Sequence, residues 1–185
     1  MYKSKFMESY ITDLNKSIKN IIELLKKYRI NFSIIGGAAR NQYSYQKITE
    51  DIDLLIAKED KEKLKNIPIG YLKDISNKRA RKFQLHDPET IIEIIYEGEI
   101  SGDGIHGLKY PSPEVISKNN IISLKYLIMF KLSSGLYGIG RYKDFDDIFE
   151  LIKRNKLTKD YADKFRKDLK EKYAELWKEV QGESN

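Results

Sequence analysis

From residue 10 to 29, Ile11, Leu14, Ile18, Ile21, Leu25 and Tyr28 recur at spacings of three and four, the period of a helix with one buried face. This predicts an opening helix. Phe32, Ser33, Ile34 and Ile35 then form a short strand-like run that stops at Gly36-Gly37, and AARNQYSYQ beyond it can wind as a helix. ITEDIDLLIA at 48–57 reads as a second strand, with KEDKEKLKNI after it as a charged helix. RARKFQLHD alternates weakly and TIIEIIYEGEI is rich in Ile with Glu93 in its middle, so the two predict a hairpin across HDPE.

The pattern changes at GEISGDGIHGLKYPSP, dense in Gly, Pro and Ser, which marks a loop or boundary. Everything after it reads as helical. Ser123 can cap a helix LKYLIMFKLSS that ends at Gly135, and Tyr142 to Lys153 forms a second. Leu157, Tyr161, Phe165, Leu169, Leu176 and Val180 mark a long third.

With 185 residues, 41% of them hydrophobic, the chain can bury a real core as one domain. There is no cysteine, no apolar run near the ~20 residues of a membrane span, and no signal-like apolar stretch in MYKSKFMESY. A reducing, cytoplasmic setting away from the membrane follows as the expectation. The net charge of +6 allows a polyanionic partner such as RNA, although Lys-, Ile- and Asn-rich usage equally reflects a biased genomic composition.

Two carboxylates interrupt the second strand. Asp51 and Asp53 sit two residues apart, so they point to one face, roughly 7 Å apart at the backbone. Magnesium takes oxygen ligands, usually one or two carboxylates plus substrate phosphates, which such a pair suits. A strand end, with Asp51 in a turn and Asp53 in solvent, explains an isolated D-x-D as well. Gly36-Gly37 closes a strand and opens a helix, where backbone N–H groups suit a phosphate, and a plain tight turn also accounts for it. The combination is more telling than either part. Glu93 on a later strand would bring a third acid to the same place, and a cluster of like charges is costly unless cations neutralise it. Two-metal phosphoryl chemistry is the usual purpose of such a cluster. Asp51 and Asp53 would bridge both ions, and Glu93 would hold the second and help deprotonate an attacking hydroxyl.

IIGGAARNQYSYQKITEDIDLLIA resembles the signature of the nucleotidyltransferase superfamily, the DNA polymerase beta-like fold, in which a G-[GS] turn precedes D-x-D on the following strand. GDG at 102–104, SLKYLIMFKLSSG at 123–135 and RYKDFDDIFELI at 141–152 resemble the helical part of minimal members, which include toxins of type IV toxin-antitoxin and abortive-infection systems. The resemblance covers about residues 30–153. It implies an α/β (α+β) fold, with a small mixed β-sheet core flanked by helices at 1–112 and a helical C-terminal part at 113–185 packed on it. It also implies that Gly36 and Gly37 bind an NTP, that Asp51 and Asp53 hold Mg2+ or Mn2+, and that Glu93 is the third carboxylate. The sequence departs from the commoner pattern at two places. Glu93 stands where Asp is more frequent, and Gly36-Gly37 replaces Gly-Ser.

In the helical part, the resemblance places Lys131 at the triphosphate with Lys143 and Asp147 nearby. Lys143 and Asp147 lie four apart, so an ordinary helical ion pair is the competing explanation. Arg40, one turn past the glycines, could reach a phosphate or lie on the surface. His86 and His106 have no partner at zinc-ligand spacing, and Tyr161, Phe165, Tyr173 and Trp177 share one helical face, as packing residues do. The lysines between Lys159 and Lys178 form a solvated face that could cradle RNA. Two function classes follow. One is a metal-dependent enzyme moving a nucleoside monophosphate from NTP to an acceptor hydroxyl, with RNA or a tRNA end favoured over small molecules such as aminoglycosides or protein hydroxyls. As a toxin it would have an antitoxin partner. The other is a non-catalytic module that binds nucleotide or RNA.

Overall fold

Ile52, Leu54, Leu55 and Ile56 are fully buried in strand β2 (Asp51–Ile56), at the middle of the sheet on which the other elements pack. The computed structural model describes residues 2–78 and 80–182. Among these, one seven-stranded mixed sheet runs in the order β3 (Leu72–Asp74), β4 (Lys82–His86), β5 (Glu89–Tyr96), β2, β1 (Phe32–Ile34), β7 (Ile121–Ile122), β6 (Ser117–Lys118). β2 pairs parallel with β5 and antiparallel with β1, and β4 and β5 form the expected hairpin, with His86 opposite Glu89. Arg79, at the start of the segment read as the first strand of that hairpin, lies outside the described residues. The architecture is the α/β one expected.

Helix α1 (Tyr2–Lys27) buries Leu14, Ser17, Ile21 and Leu25 along one stripe. Ser17 Oγ lies 2.6 Å from Thr90 Oγ1 of β5, whose side chain shares a face with Ile92 and Ile94. α1 therefore covers the face opposite Asp53 and Glu93. The acid-bearing face is met by α4 (Leu124–Tyr137) and α5 (Lys143–Arg154), while α6 (Lys167–Gln181) packs on both helices. Short helices α2 (Gly36–Arg40) and α3 (Pro113–Ile116) complete the set. No described helix is long and apolar enough to cross a membrane.

Several boundaries differ from the sequence reading. The helix expected over AARNQYSYQ stops at Arg40, because the Asn41 side chain donates to Lys47 O (2.8 Å) and accepts from Lys47 N–H (3.1 Å), closing a loop instead. The charged segment after β2 winds as a 3-10 helix, Lys58–Asn66, with Asp60 turned inward to accept from Asn31 N–H at 2.6 Å. Gly135 does not stop its helix, which runs to Tyr137. A Cβ there would lie 2.6 Å from the Phe145 ring, so the glycine lets α4 and α5 approach closely. The long third helix is broken into a 3-10 turn, Lys159–Ala162, and α6, which lets Tyr161, Phe165 and Tyr173 cluster with ring centroids 6.1 Å apart. The strands at 72–74, 117–118 and 121–122 were not anticipated.

Candidate active site

The parallel register of β2 and β5 sets Asp53 directly beside Glu93, with Asp51 two residues upstream on the same face. Carboxylate oxygens of Asp51, Asp53 and Glu93 lie within 4.8 Å of one another. All three are partly shielded from solvent. Burial, then the charges of Asp51 and Glu93, push the Asp53 pKa up to about 6, against the opposing pull of the Gly37 N–H and Lys131. An all-oxygen donor set at this separation fits a hard divalent cation.

Gly36 presses against this cluster. Its φ is +62°, a conformation natural to glycine, and a Cβ there would fall 1.8 Å from Asp53 Oδ2. A Cβ on Gly37 would meet Thr49 Oγ1 at 2.7 Å. Thr49 is itself clamped by Tyr10 of α1, whose hydroxyl donates to Thr49 O (2.8 Å) and accepts from its N–H (2.6 Å). The opening helix thus fixes the approach to β2.

Across the cleft, α4 and α5 present a charge network. Lys131 Nζ, nearly buried, donates to Asp144 Oδ1 at 2.9 Å and Asp147 Oδ2 at 2.8 Å. Asp144, 1% exposed, also accepts from Arg141 Nε at 3.0 Å. Asp147 Oδ1 faces Lys47 Nζ at 3.0 Å and Arg40 Nε at 3.3 Å. Burial raises the Asp147 pKa, but Lys131 and Lys47 outweigh it and hold the carboxyl below its usual range. The alternative i, i+4 pair of Lys143 with Asp147 does not form. Asp147 is drawn inward by three other cations, and exposed Lys143 has no ion-pair partner among the described residues. Arg40 is not a surface residue either: it is 1% exposed, and Nη1 donates to Asn41 Oδ1 (3.0 Å) and the Tyr45 carbonyl.

All nine candidate residues, Gly36, Gly37, Arg40, Asp51, Asp53, Glu93, Lys131, Lys143 and Asp147, line one cleft of about 420 Å3. Lys47, Arg141 and Asp144 join them and were missed. Asp144 had a signal, since it falls in the buried helical stripe with Ile148, Leu151 and Ile152. Lys82 was missed too. It stands opposite Glu93 in the β4–β5 register, with Nζ 3.6 Å from Glu93 Oε2. The GDG loop is not in the cleft lining. There Asp103 accepts from the Ile105 and His106 N–H groups, each at 2.8 Å, and from the His106 ring.

No family model matches the chain, and no curated protein matches it by sequence. Solved structures do match by shape. The chain is similar to the crystal structure of an antigenic nucleotidyltransferase-like protein from Paracoccidioides brasiliensis, with a TM-score of 0.57 and 17% identity over 92% of this chain and 90% of that one. It is also similar to ANT(2″)-Ia, crystallised in complex with adenylyl-2″-tobramycin, with a TM-score of 0.50 and 13% identity over 90% of this chain and 96% of that one. The chain therefore has the nucleotidyltransferase fold.

Proposed function

We propose that the protein is a metal-dependent nucleotidyltransferase that moves a nucleoside monophosphate from an NTP to an acceptor hydroxyl, with release of pyrophosphate. The carrying observation is the convergence of Asp51, Asp53 and Glu93 within 4.8 Å, opposite the cations of α4 and its neighbours. The cleft walls carry Arg40, Lys47, Lys131, Arg141 and Lys143 against seven carboxylates, so the cleft is net acidic on its own. A polyphosphate would be repelled from it unless divalent cations came with it. Asp51, Asp53 and Glu93 would hold Mg2+ or Mn2+, which supplies charge neutralisation at the transferring phosphate.

The chain's own part is positioning and charge. Residues 1–112 supply the acids and the Gly36-Gly37 turn, and 113–185 supplies Lys131, with Arg141 and Lys143 at the mouth. Glu93, beside Asp53 in the β2–β5 register, would help to take the proton of the acceptor hydroxyl. The acid pair disfavours a purely binding module, which has no use for a partly shielded cluster of like charges.

The net charge of +6 and the lysine-rich C-terminal helix support RNA or a tRNA end as acceptor, and the toxin-like segments support a toxin with an antitoxin partner. One observation favours a second reading, a cationic small molecule such as an aminoglycoside. A groove of about 500 Å3 beside Asp51 is walled by Asp13, Glu50 and Glu89 and has no lysine or arginine in its lining. The test is transfer of label from each alpha-labelled NTP, with Mg2+, to total RNA, to protein and to aminoglycosides. Wild type is compared with Asp51→Ala/Asp53→Ala. Label that appears on one acceptor class and vanishes in the folded variant supports the transferase and names its acceptor. Failure to label any class overturns it.

A further inference from the structure

A smaller cavity of about 90 Å3 opens off the cleft behind Gly36, between the sheet and α4. It shares Gly36, Asp53, Lys131 and Arg141 with the cleft, and its far wall is Tyr110 stacked on Phe130, ring centroids 4.1 Å apart and nearly parallel. Tyr110 is held by its backbone, with its N–H donating to Glu99 O and its carbonyl accepting from Gly98 N–H, each at 2.8 Å. Although the residue is nine-tenths buried, its hydroxyl makes no hydrogen bond to any described residue. The hydroxyl is not sealed from solvent, so a partner that enters can reach it. Burial, with the nearby Asp53 charge adding to it, pushes the phenol pKa up, so the group stays protonated and available as a donor.

We propose that this cavity is the sugar subsite of the nucleotide, and that the Tyr110 hydroxyl hydrogen-bonds a hydroxyl of the ribose. The inference rests on the nucleotidyltransferase reading above. The phosphate reacting beside Asp53 carries the sugar on one side and the pyrophosphate on the other, and of these the sugar suits a cavity walled mainly by Ile35, Tyr110, Leu127 and Phe130. The size agrees, since at about 90 Å3 against about 420 Å3 for the cleft the cavity takes a small part of a nucleotide. Its chemistry agrees too. Phe130, Ile35 and Leu127 offer apolar contact to the C–H faces of a pentose, and Tyr110 offers a polar contact to its hydroxyl edge.

The test is calorimetric binding, with Mg2+ and no acceptor, of the tightest-binding of ATP, CTP, GTP and UTP and of its 2′-deoxy and 3′-deoxy forms. Wild type is compared with Tyr110→Phe, which keeps the stack on Phe130. One deoxy form should bind wild type about five- to tenfold more weakly than the ribonucleotide. Tyr110→Phe should weaken the ribonucleotide by a similar factor, and combining the two changes should add nothing further. Additive losses, or a wild type indifferent to both deoxy forms, would overturn the subsite and leave Tyr110 bonded to water alone. If no NTP binds wild type at all, the transferase reading fails and the subsite with it.

Discussion

Gly36 and Asp53 share a space that holds one side chain: a Cβ on residue 36 would sit 1.8 Å from Asp53 Oδ2. The carboxylate occupies the volume that the glycine leaves empty. Gly36→Ala must therefore displace Asp53 and also strain a backbone at φ +62°, the latter alone at about 1–2 kcal/mol. We expect a lower Tm and Mg2+ affinity weakened at least tenfold, read by calorimetric titration. Gly37→Ala, which meets the Thr49 side chain and no site carboxylate, should be milder. Unchanged Mg2+ binding in Gly36→Ala would show that the triad does not depend on this contact.

Proton and metal compete for Asp53. Its folded pKa of about 6 lies above its ordinary value near 3.8, so the folded state binds this proton more tightly than the unfolded chain. For this group, stability of the metal-free protein is greatest below about pH 4 and declines as pH rises through about 6. Mg2+ binding should release a proton and tighten from pH 5 to pH 7, and Asp53→Asn should flatten that dependence. A pH-independent Mg2+ affinity in wild type would contradict it.

Asp147 and Lys131 should separate stability from binding. Asp147→Asn removes the charge facing Arg40, Lys47 and Lys131 and strands the buried Arg40, at a cost of about 3 kcal/mol in chemical denaturation. Lys131→Met leaves Asp144 with Arg141 and Asp147 with Arg40 and Lys47. It should cost less stability while weakening NTP binding about tenfold or more. Equal effects of the two variants on both quantities would refute this division.

Lys82 offers a test with the opposite sign. Its pair with Glu93 is partly exposed and 3.6 Å long, so Lys82→Met should change stability by under about 1 kcal/mol. Removing a cation beside the triad should nonetheless tighten Mg2+, by about two- to fivefold. Weaker Mg2+ binding in this variant would mean that Lys82 supports the triad by some other means.

Asp51, Asp53 and Glu93 were legible because each breaks an apolar strand, where a carboxylate has no packing reason to be. Lys131 stood out in the same way, inside the apolar run LIMFKL of α4. Lys47, Lys82, Arg141 and Tyr110 carried no such contrast, since they lie in polar or loop segments and reach the site only through strand register and loop closure. The strands at 72–74, 117–118 and 121–122 are two or three residues long, too short for alternation to show. Gly135 misled because a helix stop and a close helix crossing use the same residue for different reasons.

Asp147 ties together the end of α2, the loop that carries Lys47, and α4. With those walls cross-braced before any substrate arrives, the mouth of the cleft has its aperture set in advance. An opening braced in this way would leave little ordering for binding to accomplish, so that discrimination among substrates would rest on what the preformed aperture refuses.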